Sequence, residues 1–424
     1  GLYCLHGMKA ASYNGLFSAV MGVFNLGFSY FLFRKQNLDK NILYLLIGIT
    51  LTFVSLTAPL QLHGHFITLF WASEAVLLAW LYIKSKISIL QYASLIIYVC
   101  MLLSLLGDWQ NVYNLFAIFS NYKPALPIVL NRGFITGFYA ASASYFLYIL
   151  LLNKSKLLFI RASFFRIAGL IILFLAGNIE LGYQFNFYYP FDGIALLYQE
   201  LYSFVFVIIL LFVNEKIKKA ALSKKVQIIL LITSAVVYFL LLPSTFDLLQ
   251  TLLLQHIKTP VYWFTAHWLV ALLAALILYR LIKAASVENN GRNKTLAWLL
   301  SIAVVVFLSA ETYFITLQLF YTNIQGEEVI NRVFSKAVLP VLWGLCSFAF
   351  MWLGMKYKYK PLRIISLSLF LFTLLKLFLY DISNILVAGK IIAFFCLGVL
   401  LIIVSFMYQR LKKIIIEDEA KLRV

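Results

Sequence analysis

Charge is scarce in this chain. Only 12% of its 424 residues are Asp, Glu, Lys or Arg, and just 16 are acidic. A soluble domain carries about a quarter charged residues, so a soluble globular fold is excluded. Cysteine is equally thin. Cys4, Cys100, Cys346 and Cys396 include no CxxC pair, and three of them fall in apolar runs. No disulfide or zinc framework follows from them. His63-Gly-His65 is the one close histidine pair, and no carboxylate accompanies it, so no metal site is expected. No Gly-rich phosphate loop, GxSxG or HExxH occurs. The acids form no close pair of the hydrolase kind. Catalysis is therefore not the leading expectation, and no cofactor is expected. Pro340 is read as the only proline inside the core of an apolar run, which argues against helices broken at mid-membrane.

What is abundant is apolar length. Hydrophobic residues make up 63% of the chain, and a helix needs about 20 apolar residues to cross a bilayer. Thirteen runs qualify, with cores near 15–33, 42–60, 66–83, 87–106, 134–152, 159–179, 194–213, 226–242, 261–281, 296–319, 337–355, 364–380 and 385–407. They are apolar all round, unlike the alternating segments of a β-barrel. The expected fold is all-α, a polytopic transmembrane helix bundle of about 13 spans.

Most of the 35 Lys and Arg follow odd-numbered runs or lie in the C-terminal tail. The positive-inside rule then puts the C-terminus in the cytoplasm and the start of this chain outside. Orientation and anionic lipid headgroups account for the net charge of +19, so membrane lipids are expected partners and nucleic acid is not. The chain opens on Gly1 without a leader pattern, and an upstream part is expected to precede it.

Runs three to twelve fall into five helical hairpins, read as internal repeats. Residues 1–60 form a preceding helix pair, 61–383 the repeated hairpins, and 384–424 the last span and basic tail. Each returning helix meets an acid at its outer end: Asp108, Glu180, Asp247, Glu311 and Asp381. A carboxylate gains nothing from a helix C-terminus, so a paired cation or a water boundary must favour it. Two hexamers, VLNRGF at 129–134 and VINRVF at 329–334, open runs five and eleven. Asn131 and Asn331 suit helix N-caps. Arg132 and Arg332 either staple an acidic helix end of a neighbouring hairpin or bind a phosphate or carboxylate of a substrate.

Polar groups inside the spans are costly and face the bundle interior or water. Glu74, Glu200 and His267 each lie in the outer part of an inward-running span, and Lys376 lies in the outer part of run twelve, able to snorkel. Together Glu74, Glu200 and His267 outline an outward-facing polar pocket for protons or substrate. Read structurally, they are interhelical hydrogen-bond partners.

The C-terminal third carries a resemblance. Leu375-Lys376, Phe378-Leu379 and Asp381, followed by a last span closing on Tyr408-Gln409-Arg410, resemble the ending of a bacterial polytopic membrane family known as domain of unknown function 2339. Trp71-Ala72 with Glu74-Ala75 is similar to a Trp-Ala-Leu-Glu segment of that family. Asn131-Arg132-Gly133-Phe134 resembles its Asn-Pro-Arg-Phe, with the proline absent. The resemblance implies a bacterial cytoplasmic (inner) membrane and supplies no activity. The leading expectation is an envelope transporter or flippase-like protein acting on a lipid-like or small-molecule substrate. Its alternatives are a non-catalytic membrane scaffold, or a membrane-embedded transferase using Asp108, Arg132, Glu311 and Arg332 on a lipid-linked substrate.

Overall fold

A computed structural model describes residues 14–33, 40–115, 125–152, 160–189, 193–216, 222–254, 264–288, 294–321 and 324–377, with isolated positions beyond. Among the described residues the fold is all-helical, without β-strands. The helices are α1 (Asn14–Phe33), α2 (Lys40–Gln61), α3 (His65–Ser85), α4 (Ser88–Tyr113), α5 (Arg132–Leu151) and α6 (Ala162–Tyr188). There follow α7 (Ile194–Lys216), α8 (Lys224–Leu254), α9 (Thr265–Glu288) and α10 (Lys294–Phe320). The helix α11 runs through Ile324–Val333, a π-helical turn at Phe334–Val338, and Leu339–Lys356; α12 is Lys360–Lys376. Nine of these are long and apolar enough to cross a membrane. The helices α1, α2 and α12 match the remaining apolar runs of residues 1–377. The thirteenth run, 385–407, falls largely outside the described residues, as does Asp381.

Several helices outrun their apolar cores. The α4, α6 and α8 helices continue into segments read from sequence as loops, because DWQNVY, LGYQFNFY and STFDLLQTLLL contain no strong breaker. Pro59 and Pro243 sit inside α2 and α8, which corrects the reading of Pro340 as the sole interior proline.

The chain divides into two compact units, 1–190 and 191–424. In the first, α1 pairs with α2, α3 with α4, and α5 with α6, while α3 also packs on α5. Small residues and hydroxyls make the crossings, as membrane helix packing requires. Ser94 donates to the Ala75 carbonyl at 2.8 Å. Gly169 lies over the Ala141 carbonyl, where a Cβ would come within 3.1 Å. In the second unit α7, α8 and α9 touch one another, α10 packs against α8, α9, α11 and α12, and α11 pairs with α12. Ser347 and Ser366 exchange hydroxyl-to-carbonyl bonds at 2.9 and 2.7 Å. Large residues such as Phe24, Leu103, Leu240 and Leu272 face outward, as they do on a lipid-facing surface.

The π turn has a local cause. Its register pairs the Leu339 N–H with the Phe334 carbonyl. The next donor in that register is Pro340, which has no N–H, so the Ser335 carbonyl loses its backbone partner. The Lys376 ammonium of α12 donates to that carbonyl at 2.5 Å. Lys376 thus fastens α12 to α11.

One acid ties the first unit together. Glu180, 3% exposed, accepts from Tyr113 Oη at 2.8 Å, Asn131 Nδ2 at 2.6 Å, Gln184 Nε2 at 2.9 Å and the Val129 N–H at 3.0 Å. Asn131 also caps α5, its Oδ1 accepting from the Phe134 N–H at 2.9 Å. The N-cap expectation holds for Asn131 but not for Asn331, which lies inside α11. The stapling expectation for Arg132 does not hold: Arg132 is exposed and forms no ion pair among the described residues. The neutral asparagine beside it reaches the acid instead. Gly133 makes room, since a Cβ there would come 2.4 Å from the Tyr113 ring.

Two predictions follow from these contacts. Asn131→Ala removes a cap and a buried donor and should destabilise the detergent-solubilised protein by about 1–3 kcal/mol, whereas Arg132→Ala should cost under about 0.5 kcal/mol. Equal effects in thermal unfolding would contradict this account. Lys376→Met should cost about 1–2 kcal/mol by leaving the Ser335 carbonyl unpaired. Adding Pro340→Ala should recover most of that loss, because the carbonyl regains an N–H; failure of the double variant to recover would refute the π-turn explanation.

Candidate functional site

The sequence pattern of acids leads to the site. Asp108, Glu180 and Glu311 lie inside α4, α6 and α10, before the final turn of each helix, and all three are buried. The expectation that they mark helix ends at a water boundary is corrected for these three. Asp247 is exposed on α8 and fits that reading better.

In the second unit four polar side chains converge from four helices. Tyr238 of α8 donates its hydroxyl to Glu311 Oε1. His267, in the first turn of α9 and 1% exposed, places Nε2 3.1 Å from Glu311 Oε2. Glu200 of α7 is buried and near enough for its charge to act on Glu311 and Tyr238. Two atoms of this group, Glu200 Oε1 and His267 Nδ1, are buried without a hydrogen-bond partner among the described residues. Aromatic rings wall the cluster. Phe264 stacks on the His267 ring at 4.8 Å, and Phe314 meets it edge-on at 4.9 Å. They fix the imidazole plane and keep its surroundings apolar.

Glu200 and His267 are thus brought together, with Glu311 added. Glu74 belongs to the first unit. Its Oε1 accepts from Ser55 Oγ at 2.5 Å, and its Oε2 is buried without a partner among the described residues. Asp108 has hydroxyl partners: Thr68 Oγ1 lies 2.5 Å from its Oδ2, and Ser104 Oγ lies 2.6 Å from Thr68 Oγ1. Arg332 is exposed, and Asn331 accepts a hydrogen bond from the Tyr313 hydroxyl. Among the described residues no three His, Cys, Asp or Glu side chains group in a way that could hold a metal ion.

The partners decide what each acid can do. The amide donors on Glu180 can only donate, so they suit a fixed carboxylate. Hydroxyls and a neutral imidazole can donate or accept. Glu311 and Asp108 can therefore keep their hydrogen bonds whether the carboxyl is ionised or protonated. Tyr238, Thr68 and Ser104 went unnoticed in the sequence because a lone hydroxyl in an apolar run barely changes its hydropathy. Tyr238, in AVVYFLLL, is the one a search for polar atoms within spans would have found.

No curated protein and no solved structure matches the chain. A family model does, over residues 3–411. A multi-pass helical membrane protein with these spans belongs to the family described as predicted membrane protein, domain of unknown function 2339.

Proposed function

We propose that this protein is an envelope transporter or flippase-like protein of the bacterial inner membrane, and that Glu200, Tyr238, His267 and Glu311 form its proton-coupling site. One observation carries the reading. Two carboxylates and an imidazole are buried together, and Glu200 Oε1 and His267 Nδ1 lack hydrogen-bond partners among the described residues. Buried ionisable groups in a membrane are expensive and are usually kept for transport of charge or substrate. A cluster of this composition can change charge by binding a proton. Coupled to helix movement, that change would drive a small or lipid-like substrate across the bilayer. Glu74, with one hydroxyl partner and one unpartnered oxygen, is a second carboxylate of the same kind.

The scaffold alternative draws support from Glu180, whose saturated hydrogen bonds fasten three helices. It does not explain the buried polar atoms left without partners among the described residues, Glu74 Oε2 in the first unit and Glu200 Oε1 and His267 Nδ1 in the second. The transferase reading has less behind it, since Arg132 and Arg332 are both exposed and neither pairs with an acid among the described residues.

The organisation proposed from sequence is kept: a preceding pair at 1–60, repeated hairpins over 61–383, and a last span and tail at 384–424. The α3/α4 and α11/α12 pairs support it, because in each a serine hydroxyl meets a carbonyl 19 residues away. Orientation follows the basic loops, with the C-terminus cytoplasmic.

Transport can be tested before the substrate is known. Full-length protein adsorbed on a solid-supported membrane and given a pH jump should show a transient charge displacement. Glu311→Gln and Glu200→Gln should each reduce it several-fold, while Glu180→Gln should leave the charge per folded molecule unchanged. A displacement untouched by both site variants would favour the scaffold. Orientation has its own check in a cysteine-free background. Leu130→Cys, at a position 76% exposed, should react with an impermeant maleimide on intact spheroplasts. Tyr357→Cys, at a position 68% exposed, should react only after permeabilisation. The reverse pattern would invert the topology.

A further inference from the structure

The same local arrangement occurs once in each unit. Tyr113 donates to Asn131 Oδ1, and Tyr313 donates to Asn331 Oδ1, both across 18 residues. The two pairs stand about 200 residues apart, and each asparagine is followed directly by an arginine and, two residues further on, by a phenylalanine, Phe134 or Phe334. The likeness extends upstream. The helix carrying each tyrosine also carries a buried acid, Asp108 in α4 and Glu311 in α10. Each acid is met by a side chain from the first turn of the preceding helix, Thr68 of α3 or His267 of α9. It extends downstream too. Ser144 of α5 packs at Gly169 of α6, and Ser347 of α11 bonds Ser366 of α12. Two helices, α7 and α8, lie between the two sets in the chain.

We infer that α3–α6 and α9–α12 are tandem copies of one four-helix unit, and that Thr68, Ser104 and Asp108 form a second proton-binding site, the counterpart of His267 and Glu311. The inference deepens the proton-coupled reading above and rests on it. Its chemistry is that of a reversible hydrogen-bond wire. With Asp108 ionised, Ser104 donates to Thr68 and Thr68 donates to the carboxylate. When a proton from water binds Asp108, the acid donates to Thr68, and Thr68 turns to donate to Ser104. Either hydroxyl of that pair can be the donor, so no polar atom of the three loses its bond in either state. Glu180 lacks this freedom, because its amide partners cannot accept.

Other titratable groups lie on the packed helices. His65 of α3 is near enough for its charge to act on Asp108. Glu74, deeper on α3, is bonded to Ser55. On α4, Tyr98 is bonded to Ser144 and Tyr113 to Asn131 and Glu180. On α5, Tyr139 is bonded to Ser73, and Arg132 is exposed. Among the described residues none of these forms an ion pair with Asp108.

The test is infrared difference spectroscopy on the full chain in lipid nanodiscs, between acid and alkaline buffer, with the proton as the probe. Wild type should show separate carboxylic-acid bands for Asp108 and Glu311. Asp108→Asn should remove only the first and Glu311→Gln only the second. Thr68→Val, which keeps side-chain shape, should move the Asp108 band without removing it, and it covers the case in which Asp108→Asn fails to fold. If Glu311→Gln removes a band while Asp108→Asn and Thr68→Val change nothing, the second site is overturned and the first reading stands. If the Asp108 band is present and no band depends on Glu311, the proton-coupling reading fails and Asp108 stands alone as a proton site. If neither band exists, both fall.

Discussion

A carboxylate inside a helix bundle in hydrocarbon has no water to lean on, so the protein must supply donors, a counter-charge or a proton. That constraint organises much of this structure. The acids are few, and five of those described are buried: Glu74, Asp108, Glu180, Glu200 and Glu311. Glu180 takes three amide-type donors and a tyrosine hydroxyl, which lock it and draw the ends of α4, α5 and α6 together. Asp108 takes a hydroxyl chain, Glu311 a tyrosine and an imidazole, and Glu74 a single serine. The donors therefore decide whether an acid acts as a fastening or keeps two states open.

The spans were legible because the bilayer sets their length. The run 42–60 became Lys40–Gln61, and 194–213 became Ile194–Lys216. Helix ends were less legible. The run 159–179 became Ala162–Tyr188, because the aromatic tail after Gly182 continues the helix, and Glu180 moved from the expected rim to the interior. The cap at Asn131 could be read, since a short side chain beside an orphan N–H has one favourable use. The fate of Arg132 could not, since a long side chain at a surface gains little from any one partner.

Of the candidate site, the sequence pointed to Glu200 and His267 as parts of one polar pocket with Glu74, and to Glu311 only as a boundary marker. That they meet depends on α9 packing on α7 and α8, and on α10 touching both α8 and α9. Chain order suggested simple hairpins, which would have paired α7 with α8 and α9 with α10 alone. The π turn was hidden for a related reason. Pro340 is visible in the sequence, but the consequence of its missing N–H depends on a lysine 36 positions later reaching the freed carbonyl (Lys376 to Ser335).

The difference between the two copies bears on which one does the work. Hydroxyls let Asp108 hold or release a proton, but they return it by the path it came, since among the described residues the chain ends at Ser104. An imidazole differs, because it has two nitrogens on opposite edges of the ring. His267 presents Nε2 to Glu311 and leaves Nδ1 without a partner among the described residues. A proton accepted on one nitrogen can be given up from the other, and stacking by Phe264 holds the ring to that line. Glu200, buried nearby with one oxygen unpartnered among the described residues, adds a second acid to the same small volume. The second copy therefore has the parts for passing a proton on, where the first has only the parts for storing one.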